Sequence, residues 1–313
     1  MKTNRQGLLT DDHGRNFLIP FVLVTSLFFL WGVANNMTDT LLSAFKNIMV
    51  MSDFQTSFIQ MAFYGAYACF AIPAAMLIRK YTFKHGIILG LSLYAAGTFL
   101  FYPASQLASY GFYLFALYVL AGGLSILETT ANPYILIMGR PATQTRRLNL
   151  AQSFNPIGSI SGIIISQIFI LSQLSSNKST MTAEELVMAQ HRELSAVTLT
   201  YMGLGLVLLA LLFIMIFYKK MPVSKDTSSV SFGATVKTLA RRKHYSMGVV
   251  AQFFYVGAQI GVWSYTIRYV MSALGLVDPV TATIRPEEVN AFITNNTFWS
   301  GLWQLDASST AEN

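Results

Sequence analysis

Two acids stand where an apolar run of membrane length would exclude them. Glu128 lies deep in "LSILETTANPYIL", and Asp39 closes "LFFLWGVANNMTD". Of the 14 acidic residues, Glu128 alone falls inside an apolar segment, with Asp39 at the edge of one and Asp53 just outside another. A charge at such depth costs at least about 2.5–3.5 kcal/mol on insertion scales, so intramembrane acids face a protein interior or a watery cavity and mark ion or substrate paths. A carboxyl that trades water for protein surroundings can load a proton on one side and release it on the other. An interfacial acid steadied by Lys46 is the plain alternative for Asp39; Glu128 has no such alternative.

Their companions point to hydroxyl chemistry. Helical spacing sets Trp31, Asn35 and Asp39 on one face at i, i+4 and i+8, with Asn36 adjoining, and gives Glu128 and Asn132 a shared face. Gln152 and Asn155 follow in a later run, then Gln252, Gln259 and Trp263 at i, i+7 and i+11. An aromatic ring beside amides and carboxyls suits a pyranose, whose C–H face stacks while its hydroxyls take paired donors and acceptors. Any one amide is as well explained as a bridge between helices, at about 0.6 kcal/mol; the collection is not.

The elements that position these residues are membrane helices. The chain is 53% hydrophobic and 11% charged, with mean hydropathy +0.49, against about 25% charged in soluble domains. Apolar blocks near 17–38, 55–78, 86–105, 111–137, 149–171, 197–218 and 247–272 approach the roughly 20 residues a spanning helix needs. Barrel strands would alternate over only about 10 residues. The fold class is therefore all-α integral membrane. The first block is no cleaved signal peptide, since its apolar run is too long and "VANNMTD" is no cleavage site. Pro133 and Pro156, each after an Asn, free the carbonyls of Thr129 and Gln152, which is tolerated at membrane depth where a cavity is lined. "GSISG" (158–162) is a small-xxx-small packing motif. Cys69 is the only cysteine, so no intrachain disulfide forms.

With the N-terminus cytoplasmic, the segments 1–16, 79–85, 139–148 and 219–246 hold 16 of the 21 lysines and arginines, as positive charge favours that side. The net charge of +7 thus reports topology. Scattered among short loops, it argues against nucleic acid, which wants one basic face. No His/Cys/carboxylate spacing suggests a metal and no phosphate loop supplies an ATP motor, so the expectation is a non-enzyme without cofactor, driven by a gradient. Six spans (17–218), a basic linker (219–246) and a seventh span (247–272) imply a six-helix half of a two-half transporter with its site at the midplane. Ala34-Asn35 and Ala131-Asn132 echo each other weakly as repeat partners.

"FFLWGVANNMTD", "YGFYLFALYVLAGGLSILETTANPYI", "RRLNLAQSFNPIGSISG" and "VVAQFFYVGAQIGVWSYTIRYV", in that order over residues 17–272, resemble the fucose permease family of the major facilitator superfamily. The resemblance implies twelve spans in two six-helix domains, a bacterial inner-membrane location, and proton-coupled uptake of a monosaccharide, L-fucose first and glucose, galactose or another hexose as the alternative. It carries the family's protonation and sugar-coupling acids onto Asp39 and Glu128. Trp31, Asn35, Asn36, Glu128, Asn132, Gln152, Asn155, Gln259 and Trp263 are the expected sugar contacts. Expected partners are the sugar, protons and the bilayer, with no obligate protein partner evident.

Two departures stand beside the resemblance. "AMLIRKYTFKHG" puts Arg79 where the superfamily's loop between spans 2 and 3 has Asp, and the polar tail 273–313 lacks the family's next helix. The expectation is a truncated or incomplete form, unable to transport alone or else an inert remnant. A seven-helix receptor or retinal-type pump is suggested by span count alone, and a retinal protein would want a lysine in its last span, where 247–272 has none.

Overall fold

The computed structural model describes residues 8–10, 14–49, 53–107, 109–174, 182–222, 232–276, 288 and 291. Among them the chain is helical apart from turns and an isolated bridge between Thr10 and Asn16. Among the described residues nine α-helices run in order: α1 Leu18–Ile48, α2 Asp53–Lys80, α3 Phe83–Gln106, α4 Tyr110–Leu136, α5 Gln144–Gln152, α6 Phe154–Phe169, α7 Ala183–Phe217, α8 Phe232–Ala240 and α9 Lys243–Ala273. They belong to two compact units, 1–227 and 228–313. The connection read as one linker over 219–246 is therefore shared: its first residues go with the six-span bundle, and α8 goes with α9. Beyond residue 276 the polar tail lies outside the described residues except for Glu288 and Ala291.

Among the described residues six segments are long and apolar enough to cross a membrane: Leu18–Leu41, Ser57–Lys80, Phe83–Gln106, Tyr110–Leu136, Pro141–Gln173 and Glu184–Phe217. α9, at 31 residues, reaches about 46 Å, but Gln252, Gln259 and Arg268 dilute its apolar character. The chain is a multi-pass membrane protein.

Two boundaries differ from the sequence reading. The fifth span begins at Gln144 rather than 149 and breaks at Ser153 between α5 and α6. Pro156 cannot donate to the carbonyl of Gln152, and its ring disfavours helical geometry at Asn155. The sixth span, expected from 197, belongs to a helix that starts at Ala183. There Thr182 accepts from the backbone of Glu185 and the Glu185 carboxylate accepts from the backbone of Thr182, a capping box that starts a polar extension ahead of the apolar run.

In the first unit α3 packs between α4 and α7, α2 lies on α4, and α1 pairs with α6. The stacked rings of Phe101 and Tyr201, 4.1 Å between centroids, and the edge of Tyr113 knit α3, α7 and α4 together. The α1–α6 contact is a backbone approach: a Cβ on Gly158 would overlap the Phe29 carbonyl, and one on Gly162 would sit 2.6 Å from the Val33 carbonyl oxygen. Overpacking costs about 1–3 kcal/mol and more where backbone blocks relief, so Gly158→Val will lower the melting temperature in detergent sharply. Gly203→Ala, where an added Cβ meets nothing within 4 Å, will leave it unchanged or raise it slightly, by about 0.5–1 kcal/mol of helix propensity.

One end of this bundle is held by cations on helix C-termini. Lys84 donates to the carbonyls of Ile216 (3.0 Å) and Tyr218 (2.9 Å), closing α7, while the Tyr134 hydroxyl donates to Pro222 (2.9 Å). Arg147, fully buried, donates to the carbonyls of Ile135, Leu136, Arg140 and Leu8 and to the Thr143 hydroxyl. It thereby ties the end of α4, the turn after it and the segment ahead of α1 into one knot.

Candidate functional site

The polar residues of α1, α4, α5 and α6 form three small groups. In the first, the Trp31 indole donates to the Tyr67 hydroxyl at 2.9 Å, and Tyr67 stands close enough to Glu128 to feel its charge. Trp31 and Glu128 line a common crevice with Leu27, Phe28, Leu124, Leu127 and Ala131. Three helices meet here: α1 brings Trp31, α2 brings Tyr67 and α4 brings Glu128, with the Ser125 hydroxyl donating to the Tyr67 carbonyl at 3.2 Å to fix α2 on α4. The crevice holds only about 10 Å³, room for at most one water. It is a wall with a dent, not an enclosed sugar pocket.

The second group continues along α4. Asn132 donates to the carbonyl of Glu128 (3.0 Å), and its own carbonyl oxygen accepts from Gln152 (3.1 Å). The break at Ser153 exposes Gln152 at the end of α5 and turns Asn155, at the start of α6, onto α1, where it donates to the Phe28 carbonyl at 3.3 Å. Gln152 thus joins Asn132, whereas Asn155 bridges helices.

Asp39 forms the third group. Eight residues beyond Trp31 on α1, it lies about 12 Å further along the axis. The side chain of Gln60 is within hydrogen-bonding reach of its carboxyl and Tyr64 stands beside it. The two acids are therefore separate stations. Between them, Asn36 folds back onto the Gly32 carbonyl (3.2 Å), while the side-chain oxygen of Asn35 is buried without a partner among the described residues. An orphaned acceptor costs about 1–3 kcal/mol, and a ligand hydroxyl would relieve it. Gln259 lies on α9 in the second unit, and Trp263 falls in the same helix with its side chain outside the described residues.

A larger cavity of about 580 Å³ opens between α1, α6 and α7, lined by Phe29, Leu30, Val33, Ile165, Phe169, Leu204 and similar residues. Size favours it, but Gln173 and Thr200 are its only polar contributions besides backbone, and a sugar site needs convergent donors and acceptors.

Sequence reasoning found the helix α2 but missed its polar residues. Gln60, Tyr64 and Tyr67 stand at i, i+4 and i+7 in "QMAFYGAY", a polar edge at helical spacing legible by the rule that found the stripe on α1. Tyrosine counts as apolar in a composition scan, and that hid it.

A model of the Major Facilitator Superfamily matches residues 12–286. The L-fucose-proton symporter of Haemophilus influenzae is 45% identical over 266 residues, which cover 82% of this chain and 62% of that protein. The glucose/galactose transporter of Brucella abortus is 32% identical over 287 residues, covering 92% and 65%. Among solved structures, a variant of the E. coli fucose:proton symporter superposes with a TM-score of 0.73 at 37% identity, covering 93% of this chain and 73% of that one. The chain thus spans a little under two thirds of the curated relatives it matches. Matched by the family model over most of its length, the chain belongs to the Major Facilitator Superfamily.

Proposed function

We propose that this chain supplies the N-terminal wall of a proton-coupled monosaccharide importer of the bacterial inner membrane, with L-fucose as substrate. The observation that carries the proposal is the Trp31–Tyr67–Glu128 group: an indole face, a hydroxyl and a carboxyl from three helices, with Asn132 and Gln152 adjoining. The indole stacks on the sugar ring, and Glu128, Asn35, Asn132 and Gln152 take its hydroxyls. Asp39, in reach of Gln60, carries the proton. Asn36 and Asn155 hold the backbone of the wall. The N-terminus and the connections at 80–83, 137–143 and 218–231 face the cytoplasm, in line with their lysines and arginines.

L-Fucose is favoured over glucose or galactose because the identity to a fucose symporter, 45%, exceeds the 32% to a glucose/galactose transporter. The test is uptake of labelled sugars by cells expressing a chimera of residues 1–272 with the C-terminal part of the E. coli symporter. L-Fucose is expected to be taken up and to compete far better than glucose or galactose. Equal competition by glucose would move the substrate assignment to the hexose branch.

A further inference from the structure

We propose that α8 is an interfacial helix that docks on the anionic lipid headgroups of the cytoplasmic leaflet. The inference rests on the reading that α9 spans the membrane with its first turn on the cytoplasmic side.

α8 and α9 form a fixed corner. The backbone of Arg242 donates to Leu239 (3.0 Å), that of Ser246 to Arg242 (3.1 Å), and the Ser246 hydroxyl donates to the Ala240 carbonyl (3.0 Å). The last carbonyls of α8 are thus closed by the first turn of α9, with Arg241 and Arg242 alone between the two helices. A helix held at the mouth of a membrane-spanning one stays at the depth of the headgroups.

Its two sides suit that depth. Helical spacing places positions 232, 236, 239 and 240, a Phe, Val, Leu and Ala, on one arc, and Lys237 and Arg241 on the other. Val236 is 49% exposed. With Arg242 and Lys243 at the corner, four cations fall within seven residues, and no acid occurs from 227 to 277. Their mutual repulsion calls for an outside anion. Apolar residues on one arc and basic residues on the other are the pattern of a helix lying in an anionic interface. Each basic residue near such a surface strengthens attraction about fivefold at low salt.

The test is fluorescence of the full chain, with Cys69 replaced by Ser and a single labelled cysteine at 236, 238 or 256, reconstituted with aqueous iodide on both sides of the bilayer. In vesicles containing phosphatidylglycerol, the label at 236 will be shielded from iodide and that at 238 open to it. In phosphatidylcholine alone, or with Lys237, Arg241, Arg242 and Lys243 all replaced by Gln, the shielding at 236 will be lost. Shielding that is equal in both lipids, or a label at 236 open in both while that at 256 is shielded, overturns the docking and leaves the membrane reading intact. A label at 256 open to iodide overturns the spanning of α9, and the docking with it.

Discussion

Asp39→Asn in the chimera will abolish accumulation of sugar against a gradient while leaving downhill exchange of labelled for unlabelled sugar measurable. Asparagine keeps the shape and stays within hydrogen-bonding reach of Gln60 but cannot release a proton. One proton moving down 100 mV supplies about 2.3 kcal/mol, which supports roughly 50-fold accumulation of a neutral sugar. Without it the inside-to-outside ratio falls to about one. Glu128→Gln is expected to differ in kind. Glu128 shares its crevice with Trp31, so its loss will weaken sugar binding by roughly 10- to 150-fold, the 1.5–3 kcal/mol of a charged hydrogen bond, as well as impair coupling. Counterflow assays across a sugar series separate the two: Asp39→Asn leaves the half-saturation near that of the parent, and Glu128→Gln raises it. If Asp39→Asn still accumulates sugar, the proton does not travel on Asp39.

The second large effect is structural. Arg147→Met will cost on the order of 3–5 kcal/mol, the scale for removing one member of a buried charged network, because it strands the carbonyls of Ile135, Leu136 and Arg140 in a closed site. Arg147→Lys will recover only part, since an ammonium lacks the planar five-donor fork that reaches carbonyls on several sides. Arg146→Met, one residue away and exposed, should stay within about 0.5 kcal/mol of the parent. Thermal unfolding of the three variants in one detergent checks the order. Equal melting temperatures for Arg147→Met and Arg146→Met would show that the knot does not hold this end of the bundle.

Length and apolarity made the membrane helices legible, because a span must satisfy its backbone internally whatever its neighbours do. Glu128 and Trp31 were legible for the same reason: burying them needs a partner. What escaped was set by local backbone chemistry or by packing between distant segments. The break at Ser153 follows from Pro156, yet a hydropathy window averages across it. The start of α7 at Ala183 was written in the Thr182–Glu185 capping box, but the box precedes a polar stretch that a search for spans discards. The Trp31–Tyr67 bond joins residues 36 apart in sequence, and no periodicity in either helix foretells it. Arg147 read as one more cytoplasmic charge in "RRLNL", whereas the fold buries it completely.

The central claim is that this wall couples a proton to a sugar, and sugar-induced proton movement tests it most directly. Cells expressing the chimera, de-energised and suspended in weak buffer, are given L-fucose while the external pH is recorded. The account predicts prompt alkalinisation that is absent with Asp39→Asn and abolished by a protonophore. Uptake of L-fucose with no change in external pH would contradict it.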